Sequence, residues 1–374
     1  MKDRLGVVLL AGRLGLGGTE KQVVLLATGL RERGVDVAVW VMFGRGPREA
    51  ELAAAGVPVV DLGFGRLTGL RSIPRNIVAF VRMVIKLRRR RPDVLHAFLI
   101  AGQLVGAPAA RLARGPIMVA GRRRLGDFKE GRRLLSAAER LTNRWTDHVV
   151  ATVEAVALDA LRRERLQAWK VSVIHNGLPE RAFEVVPDGG TSVLCAARLE
   201  PYEGLGQLLA ALSLLPDPPR LVLLGEGPLR PELAAHAARL GLEVTFAGAR
   251  TDPETFLAAA KVFVQPSPSA GMSNAVMEAM AAGLPVVGTA VGGTPELLRN
   301  GRGVLVPPSD PEALAGALAR LLDDPAEAAR LGAAARAWAH DQLTADAMVR
   351  RHVEIYQLLL GRPIEAAAAH WSVL

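Results

Sequence analysis

Between Pro266 and Gly283 the chain reads PSPSAGMSNAVMEAMAAG, a strand end, a run of small residues, then a helix carrying Glu278 about one turn in. A helix that starts this way leaves free backbone N–H groups at the positive end of its dipole, a ready site for a phosphate. Ser273 or Asn274 supplies the capping oxygen. Glu278 is then placed to hold ribose hydroxyls by charge-assisted hydrogen bonds. The chemistry implied is recognition of a nucleotide, set against the plainer reading of Glu278 as an ordinary surface glutamate.

Other candidates share the pattern of a strand followed by a glycine turn. Gly15-Leu16-Gly17-Gly18-Thr19-Glu20 follows the first apolar strand, and Gly17 and Gly18 let backbone approach an anion closely. Thr19 with Gln22 fits a helix capping box. A dinucleotide fingerprint would need glycine where Glu20 stands, and a tight strand-to-helix turn accounts for the same glycines. Ala196 to Gly204, AARLEPYEG, follows another strand. Leu224-Gly225-Glu226-Gly227-Pro228 is a strand-end turn with Pro228 opening a helix, and Ala247-Gly248-Ala249-Arg250 follows the next strand. In the first half, His96 closes RPDVLHAF, and Arg122, Arg123 and Asp127 lie in GRRRLGDF after a strand. These could touch a second ligand; His96 fits equally as a satisfied structural histidine.

The elements that must position these residues alternate along the chain. Strands are expected at Leu5–Leu10, Val35–Val41, Asp93–Ala97, Ile117–Ala120, His148–Ala151 and Val171–Ile174. Helices fall between them, including Thr19–Arg33 and an amphipathic Pro74–Arg91 stopped by Pro92. The pattern restarts after Val186-Pro187-Asp188-Gly189-Gly190, the best linker candidate. Strands follow at Ser192–Ala197, Leu221–Leu224, Val244–Phe246, Val262–Val264, Pro285–Val287 and Val304–Val306, with helices between. Such alternation argues for doubly wound parallel sheets, which bind ligands at the carboxyl ends of their strands. The expected domains are 1–187 and 188–343, with 344–374 forming a last helix, folded back on the first domain, and a tail.

Composition narrows the function further. Half of the 374 residues are hydrophobic, enough for sizeable cores. The lone Cys195, in SVLCAA, reads as a buried strand residue and excludes a disulfide framework within the chain. No histidine pairing of a metalloprotease occurs, and no metal site is expected. No apolar run is long enough to span a bilayer, and VVLLAG near the start reads as a first buried strand rather than a signal peptide. Residues 1–187 carry 32 Lys and Arg against 17 Asp and Glu, while residues 188–374 carry 14 against 20. A basic first half is expected to favour an anionic partner, unless its charge runs are simply solvated faces. Nucleic acid is not expected, because no aromatics interleave the arginines.

Taken in order, these segments resemble retaining glycosyltransferases of family 4, over about residues 4–360. The resemblance rests on the GGTE opening, the Arg198 to Gly204 loop, Gly225-Glu226-Gly227-Pro228, the Pro266 to Gly283 segment, and the VGGTPE and GVLVPP segments beyond it. It implies a GT-B fold, two facing Rossmann-like domains with a cleft between them. It also implies a nucleotide-diphosphate sugar donor, UDP- or GDP-linked, held mainly by the second domain. Arg198 would neutralise the donor diphosphate, and Gly271, Met272, Ser273 and Asn274 would present N–H groups to the diphosphate or sugar. Gly17, Gly18, Gly225, Gly227 and Arg250 would line the donor site, and Arg198 and Glu278 would carry catalysis. The acceptor, a glycan or lipid-linked molecule, would meet the basic first domain near His96, Arg122, Arg123 and Asp127, in the cytoplasm and at an anionic inner membrane face. No cofactor beyond the donor and no metal is implied.

Two positions depart from the family pattern. It places a pair of glutamates at the positions of Ala270 and Glu278, and a lysine at the position of Glu203. A carboxylate facing a diphosphate is repulsive at short range. Three readings follow: an active retaining transferase with an altered sugar site, a catalytically silent binding or assembly subunit of a glycan pathway, or another nucleotide-sugar enzyme such as a 2-epimerase.

Overall fold

The computed structural model of the chain describes residues 4–65, 70–126, 130–250 and 252–361. They form two compact units, one running to Gly177 and resuming at Ala345, the other spanning Leu178–Thr344. The change of unit therefore falls at Gly177, ahead of the Pro187-Asp188-Gly189-Gly190 stretch, which lies exposed inside the second unit.

The first unit runs β1 (Gly6–Ala11), α1 (Gly18–Glu32), β2 (Asp36–Val41), α2 (Glu49–Ala54), β3 (Val59–Asp61), α3 (Ile73–Arg90), β4 (Val94–Phe98), α4 (Leu99–Ala113), β5 (Ile117–Arg122), α5 (Arg133–Thr142), β6 (His148–Ala151), α6 (Glu154–Glu164) and β7 (Val171–Val173). Its strands lie in the order β3-β2-β1-β4-β5-β6-β7, and every pairing is parallel. The side-chain period of two explains why these strands are apolar throughout. Val7, Leu9, Val37 and Val39 pack with Val23, Leu26 and Leu30 of α1. The alternate residues Val8, Leu10, Ala38 and Trp40 pack on the other face with Met83 and Leu87 of α3 and Val105 of α4. The last described helix, Ala345–Leu359, joins the first of these layers through Met348, Val349, Ile355 and Tyr356. Its Val349 fills the space beside Gly29 of α1, and Asp346 pairs with Arg33.

The second unit runs β8 (Ser192–Ala196), α7 (Leu205–Ser213), β9 (Leu221–Leu224), α8 (Arg230–Arg239), β10 (Val244–Gly248), α9 (Glu254–Ala258), β11 (Ala260–Gln265), α10 (Asn274–Ala282), β12 (Val286–Thr289), α11 (Thr294–Leu298), β13 (Val304–Val306), α12 (Pro311–Asp323) and α13 (Pro325–Gln342). Its parallel order is β10-β9-β8-β11-β12-β13. The sequence expectations match these elements closely, apart from β3, α2 and α11, which are too short to show a period. Cys195 is buried in β8, where burial and then the charge of Glu203 push its thiol well up, so it behaves as an inert core residue.

Two local expectations need correction. Gln22 does not close a capping box on α1, which has no side-chain cap. Its fully buried amide instead donates to Gly177 O at 2.9 Å and accepts from Gly177 N at 2.8 Å, tying α1 to the last turn of the unit. Pro228 lies in the turn before α8, and the proline in the helix's first turn is Pro231.

Candidate functional site

In the second unit the segments singled out from the sequence meet at the carboxyl ends of β8, β9, β10, β11 and β12, the edge where doubly wound sheets bind ligands. The loop after β8 carries Arg198, 69 % exposed in its side chain, with its guanidinium over the Tyr202 ring at 5.2 Å. Beside it Gly225 ends β9 at a φ of +139°, and a Cβ there would overlap the Ala197 carbonyl. Only glycine allows this approach. Gly227 packs equally close on Leu199. Glu226 pairs with Arg230 at 2.7 Å. Arg250 lies over the Phe256 ring at 5.1 Å and 3.5 Å from Asp252.

The helix predicted to hold a phosphate is α10, with the expected start at Asn274 and Ser273 as its cap, whose Oγ accepts from Val276 N at 3.3 Å. Gly271 ahead of it and Asn274 at its first position are partly exposed, Met272 is buried, and Glu278 is half-buried one turn in. Gly292, at a φ of +54°, presses on the Ala270 carbonyl, and Gly293 N donates to Gly271 O at 3.1 Å. The backbone at Ala270 is thus clamped from the β12–α11 loop, whatever side chain stands there.

Glu203 neither points into water nor stands alone. One carboxylate oxygen lies 3.4 Å from Arg198 Nη2, and the other accepts from Ser267 Oγ at 2.8 Å. Behind Ser267 runs a polar chain absent from the sequence reading. Gln265 Nε2 donates to Ser267 Oγ at 2.7 Å, and Ser273 Oγ donates to Gln265 Oε1 at 3.0 Å. The one available signal was Gln265 itself, a polar residue ending an otherwise apolar strand.

In the first unit, Gly17 N-caps α1 and Gly18 opens it, with the Glu20 carboxylate folded back against Gly17. The residues assigned to the acceptor side divide. Arg122 is 6 % exposed and bonds Glu164 at 3.0 and 2.8 Å, with Glu139 at 3.5 Å. Burial alone would lower its pKa, but Glu164 and then Glu139 outweigh it and raise it. Arg122 is therefore a structural cation with its charge committed inside the unit, a correction to its assignment as an acceptor contact. His96 is 1 % exposed and shares a 2.7 Å hydrogen bond through Nδ1 with Tyr356, while its buried Nε2 has no hydrogen-bond partner among the described residues. Burial, then the charges of His352, Arg123 and His148, hold it well below the usual imidazole range. Arg123 lies beside it, 5.0 Å from the Phe98 ring centroid and donating to Asn176 Oδ1 at 2.6 Å. Burial lowers its pKa to about 10, against the raising charges of Glu20 and Tyr356. Asp127 lies outside the described residues. Among the described residues no group of three or more His, Cys, Asp or Glu could hold a metal ion.

Comparison with known proteins adds the chemistry of relatives to this geometry. Residues 16–181 match the profile of Glycosyltransferase Family 4, and residues 190–324 match that of Glycosyl transferases group 1. The chain is 31 % identical to a D-inositol 3-phosphate glycosyltransferase of Acidothermus cellulolyticus, over 82 % of this chain and 78 % of that protein. It is 29 % identical to the lipopolysaccharide core biosynthesis glycosyltransferase LpsE of Rhizobium meliloti, over 93 % of this chain and 97 % of that protein. Among solved structures, Anabaena HepE in complex with UDP superposes with a TM-score of 0.83 at 22 % identity, covering 95 % of this chain and all, 100 %, of that one. HepE in complex with UDP-glucose superposes with a TM-score of 0.81 at 23 % identity, covering 94 % and 100 %.

Two parallel-sheet, Rossmann-like units of this order, with these relatives, define a glycosyltransferase of the GT-B class. Within that class the chain belongs to glycosyltransferase family 4, the group 1 glycosyl transferases, matched in both units.

Proposed function

We propose that the protein is a retaining, metal-independent glycosyltransferase that moves a sugar from a UDP- or GDP-linked donor to a glycan or lipid-linked acceptor. The observation that carries this is the Ser273-capped start of α10 standing on the same sheet edge as Arg198. The backbone N–H groups from Gly271 to Asn274 and the helix dipole take the donor diphosphate, and Arg198 adds an exposed cation. Glu278 holds the ribose. The bond from the anomeric carbon to the diphosphate breaks while a bond to the acceptor oxygen forms on the same face, and the acceptor's hydroxyl proton passes to the leaving diphosphate oxygen. The charge that builds on the leaving diphosphate is what these donors stabilise. Rate then comes from positioning and charge stabilisation, with no covalent nucleophile. HepE, solved with UDP and with UDP-glucose, supports UDP as the first nucleotide to test. The relatives acting on inositol phosphate and lipopolysaccharide core support a polar, lipid- or phosphate-bearing acceptor.

The test is a panel of UDP- and GDP-sugars, with and without a chelator, reading nucleotide release and the anomeric configuration of the product. Release from one donor, unchanged by the chelator and with configuration kept, is expected. A folded protein that releases nucleotide from no donor overturns the reading.

A second reading, a silent binding or assembly subunit, is favoured by Ala270 and by the engagement of Glu203 with Arg198. Calorimetry separates the two: micromolar UDP or GDP binding without turnover supports the subunit. Ala270→Glu with Glu203→Lys then creates activity if those two positions are what silence it.

A further inference from the structure

Helix α3 has two apolar faces. Ala79, Met83, Val84 and Leu87 are buried in the core of the first unit. A helix that otherwise met only water would be polar on its outer face. Instead Ile77 is 59 %, Val78 49 %, Val81 48 % and Ile85 41 % exposed. At about 100° per residue these four, with Pro74, fall in one arc. Arg82, Lys86 and Arg89, all exposed, fall in the arc beside it. Single exposed aliphatics are ordinary, but a contiguous ridge marks a contact surface.

The charges say what kind of contact. From Ile73 to Arg90 the helix has no carboxylate. Arg88 and Arg90 are drawn onto the protein, donating to Leu112 O at 3.0 Å and to Asp36 at 2.7 Å. Arg82, Lys86 and Arg89 flank the ridge on its solvent side. A second copy seated on this face would bring cations onto cations, with no acid on α3 to pair them. A nucleic acid would meet the cations and leave the aliphatic ridge wet. A surface that is both anionic and apolar satisfies both arcs.

We propose that the outer face of α3 docks on an anionic lipid bilayer, with Ile77, Val78, Val81 and Ile85 entering the boundary between headgroups and acyl chains and Arg82, Lys86 and Arg89 meeting lipid phosphates. The helix lies on the membrane and does not cross it: no helix among the described residues is long and apolar enough to span one. This proposal does not depend on the transfer reading.

The experiment is co-sedimentation of the full chain with vesicles of phosphatidylcholine containing phosphatidylglycerol, against phosphatidylcholine alone, at low and high salt. Binding to the anionic vesicles, weakened by salt, is expected. The triple variant Arg82→Glu, Lys86→Glu, Arg89→Glu lowers the partition coefficient by roughly a hundredfold or more. Ile77→Ser, Val81→Ser, Ile85→Ser lowers it by roughly tenfold or more. Every substituted side chain faces solvent, and circular dichroism with thermal melting checks that both variants stay folded. Nucleotide release is measured separately, so a silent enzyme leaves this test intact. The proposal is overturned if the wild-type chain ignores anionic vesicles, if both folded variants bind as well as wild type, or if sedimentation shows only a self-association that the serine variant abolishes.

Discussion

Glu203 holds Ser267 by a 2.8 Å hydrogen bond while its other oxygen faces Arg198 at 3.4 Å. The first contact continues through Gln265 to Ser273, the cap of α10. Every donor in that chain points toward the carboxylate, so the bonds polarise one another in the same direction. Position 203, where the resemblance leads one to expect a lysine, is thus occupied by an acid that is held by hydrogen bonds and coupled to the helix start expected to bind the diphosphate.

Replacing Glu203 by Gln keeps an acceptor for Ser267 and removes the charge opposite Arg198. Arg198 is mostly exposed, so the pair is worth no more than about 1 kcal/mol. UDP or GDP affinity is expected to rise by up to about fivefold at low salt, with the gain shrinking as salt rises. Calorimetric titration at two ionic strengths reads this; an unchanged or weaker affinity shows that the pair does not restrain Arg198.

Arg198→Ala removes the exposed cation without touching the core. Turnover is expected to fall about a hundredfold, while thermal stability stays within about 0.5 kcal/mol of wild type. Single-turnover kinetics with the active donor gives the number, and a loss of less than about threefold would take Arg198 out of the reaction.

Gly292 presses on the Ala270 carbonyl in the left-handed region, at a φ of +54°. Gly292→Ala forces the two loops apart and is expected to cost about 1–3 kcal/mol of stability. It should also weaken nucleotide binding, because the segment before α10 moves with Ala270. A variant as stable as wild type that binds nucleotide equally well contradicts the clamp.

The buried Arg122–Glu164 pair is expected to be costly to break from one side. Glu164→Ala removes both hydrogen bonds of the guanidinium to Glu164 and leaves only Glu139, at 3.5 Å, to offset its buried charge, and should destabilise the first unit by about 3 kcal/mol. Urea unfolding followed by tryptophan fluorescence measures it, and a loss under about 1 kcal/mol refutes the structural role.

Three buried imidazoles set a direction for pH dependence. Burial, then the charge of Lys170, lowers His148 to about 4. Burial also lowers His352 to about 4, against a backbone hydrogen bond to Met348. His96 is likewise lowered. In the unfolded chain such rings take a proton near pH 6.5, so the unfolded state binds more protons below that value and stability falls as the pH drops toward 4. The loss should approach about 3 kcal/mol each for His148 and His352 at the acid end. Urea midpoints at pH 7 and pH 5 test the sign. His352→Phe, which cannot be protonated, should flatten part of the slope, and a midpoint that rises on acidification contradicts the burial of neutral rings.

Much of the fold was legible because the local signals agree with one another. Apolar runs bounded by glycine and proline marked the longer strands, and Pro92 after Arg91, at a φ of +50°, stops α3 where the sequence places its end. Ser273 caps α10 because a short hydroxyl before a helical run has one good partner, the N–H groups directly after it. Gln22 misled for the complementary reason: a capping box is a local inference, and a distant Gly177 offered the buried amide two better hydrogen bonds.

The amino-acid sequence alone determined the alternation of strand and helix, the glycine turns at strand ends, the excess of cations in the first half and the departures at Ala270 and Glu203. Each follows from local sterics, side-chain period or residue type, which act over a few positions. The tertiary structure decided the partnerships: Glu203 with Ser267, Arg122 with Glu164, His96 with Tyr356, and the exposure of Ile77, Val81 and Ile85 on α3. These join residues far apart in the chain, or depend on which face of a helix the core leaves uncovered. Hydrogen bonds, ion pairs and burial are decided by what packing brings within a few ångströms, and the order of residues does not state that.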